Sequence, residues 1–268
     1  MTLMKAKINH HLFTQVNLDS GAITCAASIV HNFAQPGTYS GSVMRADQRE
    51  TEFHLVVTKE SKNMQVDIDL SEVGRAASAT DKCACNNELQ ADRHFEVNPE
   101  GYVVFYVSQG PGGYSVSVTG KADDENTVQF DSTQLRYGDL FIVSLLRPGL
   151  FSLTNTNGAK GDLVVAYPRR GGEANLKNMQ PVEIRCLEKE FVPPKVELQV
   201  VQGQIYRIET KEGSRIKIDL QRADDGPKRE PEKVFQWRKP GRAKQATPDK
   251  NTNPVKDPGL TKGGKKSD

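Results

Sequence analysis

The sequence predicts an all-β protein of two sandwich-like domains, followed by a disordered basic tail. Three observations carry that expectation. Apolar residues come in short runs, several of them alternating with polar ones, as half-buried strands require. Glycine- and proline-bearing turns separate those runs, and the phrase Pro-Gly-x-aromatic-Ser occurs three times, beginning at Pro36, Pro111 and Pro148. Beyond residue 223 the apolar pattern stops and Lys, Pro and Gly take over.

The most apolar stretch is 134–168. Residues 140–146 (LFIVSLL) form a nearly continuous apolar run whose length and branched residues suit a strand. Pro148-Gly149 follows as a tight turn, proline fixing φ at its second position and glycine accepting positive φ at its third. Residues 150–154 resume the extended pattern, 155–158 (NTNG) form the next turn, and 163–167 form a strand stopped by Pro168 and Gly171-Gly172. In each repeat of the Pro-Gly phrase, the aromatic is expected to start a strand and drop onto a core.

Tyr137-Gly138-Asp139, the Pro148-Gly149-Leu150-Phe151 turn and the closing run 158–165 together resemble the C-terminal half of a cupredoxin-like β-sandwich. The resemblance covers 134–167 and implies a cupredoxin-like core for at least one domain. Copper-binding members carry Cys, His and usually Met between the turn and the closing strand. Here that interval, 152–159, reads SLTNTNGA and offers no soft ligand. The resemblance therefore implies a fold and argues against copper; no cofactor is expected.

A chain of 268 residues accommodates one large or two ordinary domains. Apolar content is 36%, low enough that part of the chain is expected to stay unfolded. From Pro227 onward there are 12 Lys/Arg and 5 Asp/Glu, a net of +7; the whole chain is +2, so the remainder is −5. No apolar leader opens the sequence, no run approaches the ~20 apolar residues of a membrane helix, and the four cysteines are irregularly spaced. These features point to a cytoplasmic protein that does not enter a membrane.

Taken in order, residues 1–73 read as the first sandwich-like domain. Residues 38–44 and 52–57 flank a polar turn and predict a hairpin. Residues 65–70 (QVDIDL) alternate strictly, so Val66, Ile68 and Leu70 are expected inward and Asp67 and Asp69 outward. Residues 74–94, with Cys83-Ala84-Cys85, break the pattern and read as a linker. Residues 95–222 form the second β domain. Strands at 102–107 and 114–119 straddle Gly110-Pro111-Gly112-Gly113, which predicts a hairpin, and 121–126 (KADDEN) form a turn without the spacing of a calcium loop. Strands at 182–187, 196–201, 205–208 and 216–220 follow; they could complete the second sandwich, pair with the first, or form a third sheet.

Residues 223–268 cannot bury enough surface to offset ordering entropy. Within them, 234–238 (VFQWR) hold the only Trp. Phe235, Trp237, Arg238, Lys239 and Arg242 are the candidate partner-binding residues, because Trp and Arg dominate interface energetics. The partner is expected to be a protein, in the simplest case a second copy; the basic tail could equally meet nucleic acid or another polyanion.

Nucleophile-elbow, zinc-protease and dinucleotide fingerprints do not occur. The leading reading is thus a non-catalytic structural or interaction subunit. The alternative is a metal-binding or redox protein using Cys83, Cys85 and His94, whose residue types suit zinc although Cys-x-Cys is shorter than its usual spacing.

Overall fold

The computed structural model describes residues 16–46, 48–73, 93–122, 125–167, 179–224 and 226. The chain divides into two compact units, Met1–Pro227 and Lys228–Asp268. The second unit lies outside the described residues, and so does almost all of the expected tail.

The first unit is all-β, as expected. It contains β1 (Asn17–Asp19), β2 (Ala27–His31), β3 (Gly37–Arg45), β4 (Gln48–Val57), β5 (Gln65–Asp69), β6 (His94–Val97), β7 (Tyr102–Tyr106), β8 (Tyr114–Ala122) and β9 (Glu125–Asp131). It continues with β10 (Leu140–Ser144), β11 (Gly149–Asn155), β12 (Lys160–Ala166), β13 (Val182–Cys186), β14 (Phe191–Val192), β15 (Lys195–Gln199), β16 (Gly203–Ile208) and β17 (Ile216–Ala223). The only helical residues among those described are 70–73.

Three sheets form. A 7-stranded sheet has the order β14-β13-β16-β10-β2-β7-β5, and two 5-stranded sheets have the orders β6-β4-β3-β8-β9 and β1-β17-β11-β12-β15. The pairings reveal one topology used twice. In the first lobe β3 pairs antiparallel with β4 and β8, β4 pairs parallel with β6, β2 pairs antiparallel with β7, and β7 pairs parallel with β5. In the second lobe β11 pairs antiparallel with β12 and β17, β12 pairs parallel with β15, β10 pairs antiparallel with β16, and β16 pairs parallel with β13. The leading strands are exchanged: β9, which precedes the second lobe, pairs with β8, the last strand of the first, while β1 pairs with β17.

The lobes join where β2 pairs antiparallel with β10, Ile29 opposite Phe141. Cross-strand partners lie on one face of a sheet. The row Ile68, Phe105, Ile29, Phe141, Tyr206, Ile184 therefore crosses six strands on a single face, and every member is fully buried. Burying side chains of this size contributes roughly 2 kcal/mol each. Phe105 meets Phe53 of β4 and stacks on Phe130 of β9, 5.1 Å between ring centroids, so the first 5-stranded sheet covers this face at the β7 end. The second 5-stranded sheet buries its own row of Phe151, Leu163 and Val196.

The strand pairings correct several expectations. They do not divide at 74–94: β2 to β5, before that segment, pair with β6, β7, β8 and β10, after it. A boundary placed there falls inside the first lobe, and the sheets are shared by 1–73 and 95–222. The expected hairpin between residues 102–107 and 114–119 does not form, because β7 and β8 belong to different sheets. Gly110, Gly112 and Gly113 all have positive φ, and they carry the chain from one sheet to the other instead of straight back. Ile23 bridges Tyr114 at the end of that crossing. Consequently the Pro-Gly phrases at Pro36 and Pro148 open equivalent strands, β3 and β11, with Tyr39 and Phe151 buried as expected, whereas the phrase at Pro111 leads into β8, whose counterpart β17 begins differently.

Asp69 is also corrected. Asp67 is exposed, but Asp69 is buried, because the chain enters its helical turn at residue 70 and folds Ser71 back over the carboxylate. Ser71 N, Ser71 Oγ and Ser108 N all donate to Asp69 Oδ1, at 2.9, 2.6 and 3.2 Å.

Candidate functional site

Of the residues singled out in the sequence, Phe235, Trp237, Arg238, Lys239, Arg242, Cys83 and Cys85 lie outside the described residues. His94 opens β6, at the edge of its sheet, and of the other histidines and cysteines that could have approached it the structure brings His54 of β4. The two are direct register partners on neighbouring parallel strands.

The local sequence explains the placement. Along β4, Phe53, Leu55 and Val57 are buried, so Glu52 and His54 point outward by strand alternation. Along β6, Val97 is buried and His94 and Glu96 are exposed. His54 N donates to Arg93 O at 2.8 Å, which fixes β6 beside β4 at this level. The imidazoles then lie face to face, ring centroids 4.9 Å apart and planes 23° from parallel. At the same position of the second lobe, Asp162 stands opposite Lys195. Imidazole is a common ligand for divalent transition metals, so this pair is the place where the described residues could hold such an ion. No group of three or more His, Cys, Asp or Glu with metal-binding geometry occurs among the described residues.

A second histidine sits where the lobes meet. His31 Nδ1 lies 2.6 Å from Asp139 Oδ1, and the other carboxylate oxygen accepts the Arg136 backbone N–H at 2.7 Å. The His31 ring contacts Phe33 edge-on and Phe130 at a tilt. Asp139 is buried. This pair ties β2 of one lobe to the turn that precedes β10 of the other.

Of the two described thiols, that of Cys186 is a poor candidate for exchange chemistry. Cys186 is buried in the second lobe, and its thiol is pushed far above its ordinary value by burial and then by the nearby Glu209 carboxylate, which keeps it protonated. Tyr206 is fully buried beside it, and its hydroxyl is likewise pushed up, first by burial and then by Cys186. Cys25 Sγ lies 3.5 Å from Gly110 O.

Comparison with known proteins returns no matching family model, no matching curated protein and no matching solved structure. No helix among the described residues is long and apolar enough to cross a membrane.

Proposed function

We propose that the chain is a non-catalytic structural or protein-interaction subunit of the cytoplasm: a rigid β body carrying a basic tail that anchors it to a partner or assembly. The observation that supports this reading is the separation of roles along the chain. All seventeen described strands fall between Asn17 and Ala223, in sheets tied into one body by the β2–β10 pairing. The positive charge excess and the only Trp fall after Pro227. Such a body presents open sheet edges, among them β5, β6, β9 and β15, whose outward backbone groups suit strand addition by a partner. Within this reading Phe235 and Trp237 supply apolar anchors, Arg238, Lys239 and Arg242 supply charge, and the partner is a protein or a second copy. The core that spans β10 to β12 keeps its cupredoxin-like interpretation, supported by the three expected strands.

The test compares the full chain with one lacking residues 227–268, and with Phe235→Ala/Trp237→Ala. Each is recovered from native cells, its co-purifying proteins are identified, and its mass in solution is measured. The truncation and the double substitution are both expected to lose the partner or the assembly. An unchanged partner set and an unchanged mass for the truncated chain reject the tail's role. Loss of nucleic acid alone moves the assignment to polyanion binding.

A further inference from the structure

From the His54–His94 geometry we infer a binding site for one divalent first-row metal ion of the imidazole-preferring group, Cu(II), Ni(II) or Zn(II), held by the two rings with water completing its shell. The inference stands apart from the interaction reading and uses neither the tail nor the cysteines.

Four features carry it. The rings belong to register partners, so their Cβ atoms are separated by the spacing of adjacent strands, about 4.8 Å. Two ring nitrogens must converge on an ion at about 2.0–2.1 Å from each. Rings already facing one another at 4.9 Å reach that arrangement by rotation about χ2, a soft torsion. Both side chains are exposed, so the rotation displaces no packed neighbour and an ion arrives directly from solvent. Finally, the backbone beneath is fixed: Phe53, Leu55 and Val97 are buried, and His54 N–H is bonded to Arg93 O, so the two attachment points do not drift apart. The equivalent Asp162 and Lys195 of the second lobe offer only one ligand and a repelling cation, so a single site per chain is expected.

The site has a mechanical consequence. β6 is an edge strand that touches its sheet only through β4. An ion bridging His54 and His94 adds a second link between those strands and stabilises the folded state by mass action. A ligating imidazole must also be neutral, so binding weakens as the solution is acidified.

The experiment is a titration of the full-length chain with Ni(II), and separately with Cu(II), by calorimetry at neutral pH, with thermal unfolding recorded alongside. The wild type is expected to take up one ion per chain and to unfold at a higher temperature when the ion is present. His54→Gln and His94→Gln are each expected to weaken uptake at least tenfold and to lose the thermal shift while keeping the wild-type circular dichroism. Cys83→Ser/Cys85→Ser and His10→Gln/His11→Gln are expected to stay within twofold of wild type. Uptake unchanged in either His54→Gln or His94→Gln overturns the assignment. So does uptake abolished in the cysteine variant, or no saturable uptake at all.

Discussion

The two lobes share their strand pairings and differ in how they fill the space between them. In the first lobe Gly41 stands opposite Phe53; at the same cross-strand position of the second, Leu153 stands opposite Gly161. The large side chain has moved from one strand to its neighbour. The exchanged leading strands repeat the pattern. Where β1 meets β17, Arg215 clasps Asp19 through two bonds of 2.6 and 2.9 Å, and Gly21 leaves room for the guanidinium. Where β9 meets β8, Thr133 occupies the glycine's position and donates its own hydroxyl to Asp131 Oδ1 at 2.7 Å, while Ser115 takes the chain position of Arg215, each preceding the residue whose N–H bonds the serine of the leading strand. Register is thus the shared property, and volume is balanced pair by pair. Close packing demands this, since an interior at crystal density tolerates neither a missing ring nor an extra one.

The largest expected effect comes from breaking one such balance. A Cβ at Gly41 would run into the Phe53 ring. Gly41→Leu is therefore expected to cost about 3 kcal/mol in urea denaturation, by overpacking. Phe53→Gly alone is expected to cost about 4 kcal/mol, by leaving a cavity. The double variant Gly41→Leu/Phe53→Gly recreates the second lobe's arrangement and is expected to be more stable than the sum of its parts by over ~1 kcal/mol. Additivity of the two changes would show that the lobes are not packed as equivalents. The reverse swap, Leu153→Gly/Gly161→Phe, is expected to gain no such rescue, because a Cβ at Gly161 would lie 2.8 Å from the Pro194 carbonyl oxygen.

A smaller effect sharpens the comparison inside the 7-stranded sheet. Val103 and Phe105 of the first lobe correspond to Gln204 and Tyr206 of the second, all fully buried. Tyr206 donates to Gln204 Oε1 at 2.7 Å, but Gln204 Nε2 is buried without a partner. An amide left in that state costs about 1–3 kcal/mol. Installing the first lobe's pair, Gln204→Val/Tyr206→Phe, is therefore expected to raise stability by about 1–2 kcal/mol, although Tyr206→Phe alone lowers it by about 1 kcal/mol by stranding the amide oxygen. A double variant less stable than wild type would show that the polar pair contributes more than it costs.

These comparisons also show what the sequence disclosed. Alternation marks where strands run: residues 140–146, residues 150–154 and the 38–57 hairpin correspond to β10, β11, and β3 with β4, whereas Pro148-Gly149 makes no tight turn, Gly149 being already the first residue of β11. Period-two patterning says which face a residue takes but never which strand lies beside it. That is why the parallel β4–β6 and β5–β7 pairs were not legible, and with them the meeting of His54 and His94. Strand β9 was missed for a related reason: ENTVQFD places one buried aromatic, Phe130, among polar residues, so its apolar signal is weak. Asp69 follows the period correctly, opposite in facing to Ile68. Its burial comes from Ser71 and Ser108, contacts that depend on how the chain turns after the strand.

The outer faces of β5–β7 and β13–β16 give the last and smallest test, because the same diagonal contact is made there by different chemistry. In the first lobe it joins buried Asp69 to Ser108; in the second it joins Arg185 to Glu209, bonded twice at 2.8 and 2.6 Å on an exposed face. Burial pushes the Asp69 carboxyl up, but the bonds from Ser108 and Ser71 outweigh it and hold the group below its ordinary value of 3.8. A carboxylate whose value is lowered by folding contributes stability that is fully present above that ordinary value and is withdrawn as pH falls through the lowered one. Asp69→Asn keeps an oxygen for the three donors but no charge, so it is expected to cost about 1 kcal/mol at pH 7, with the gap from wild type closing as the solution is taken below pH ~4. A gap that stays constant with pH would mean the bonds at Asp69 do not depend on its charge. In the second lobe the pair is solvated and lies beside a second exposed pair, Arg207–Glu183, whose charges also act on it, so Arg185→Ala is expected to leave the denaturation midpoint unmoved within error at pH 7 and in high salt. If Arg185→Ala proved the more damaging of the two, solvation of the outer face could not be what separates the lobes, and the β13–β16 end of the 7-stranded sheet would have to depend on that ion pair in a way that burial does not explain.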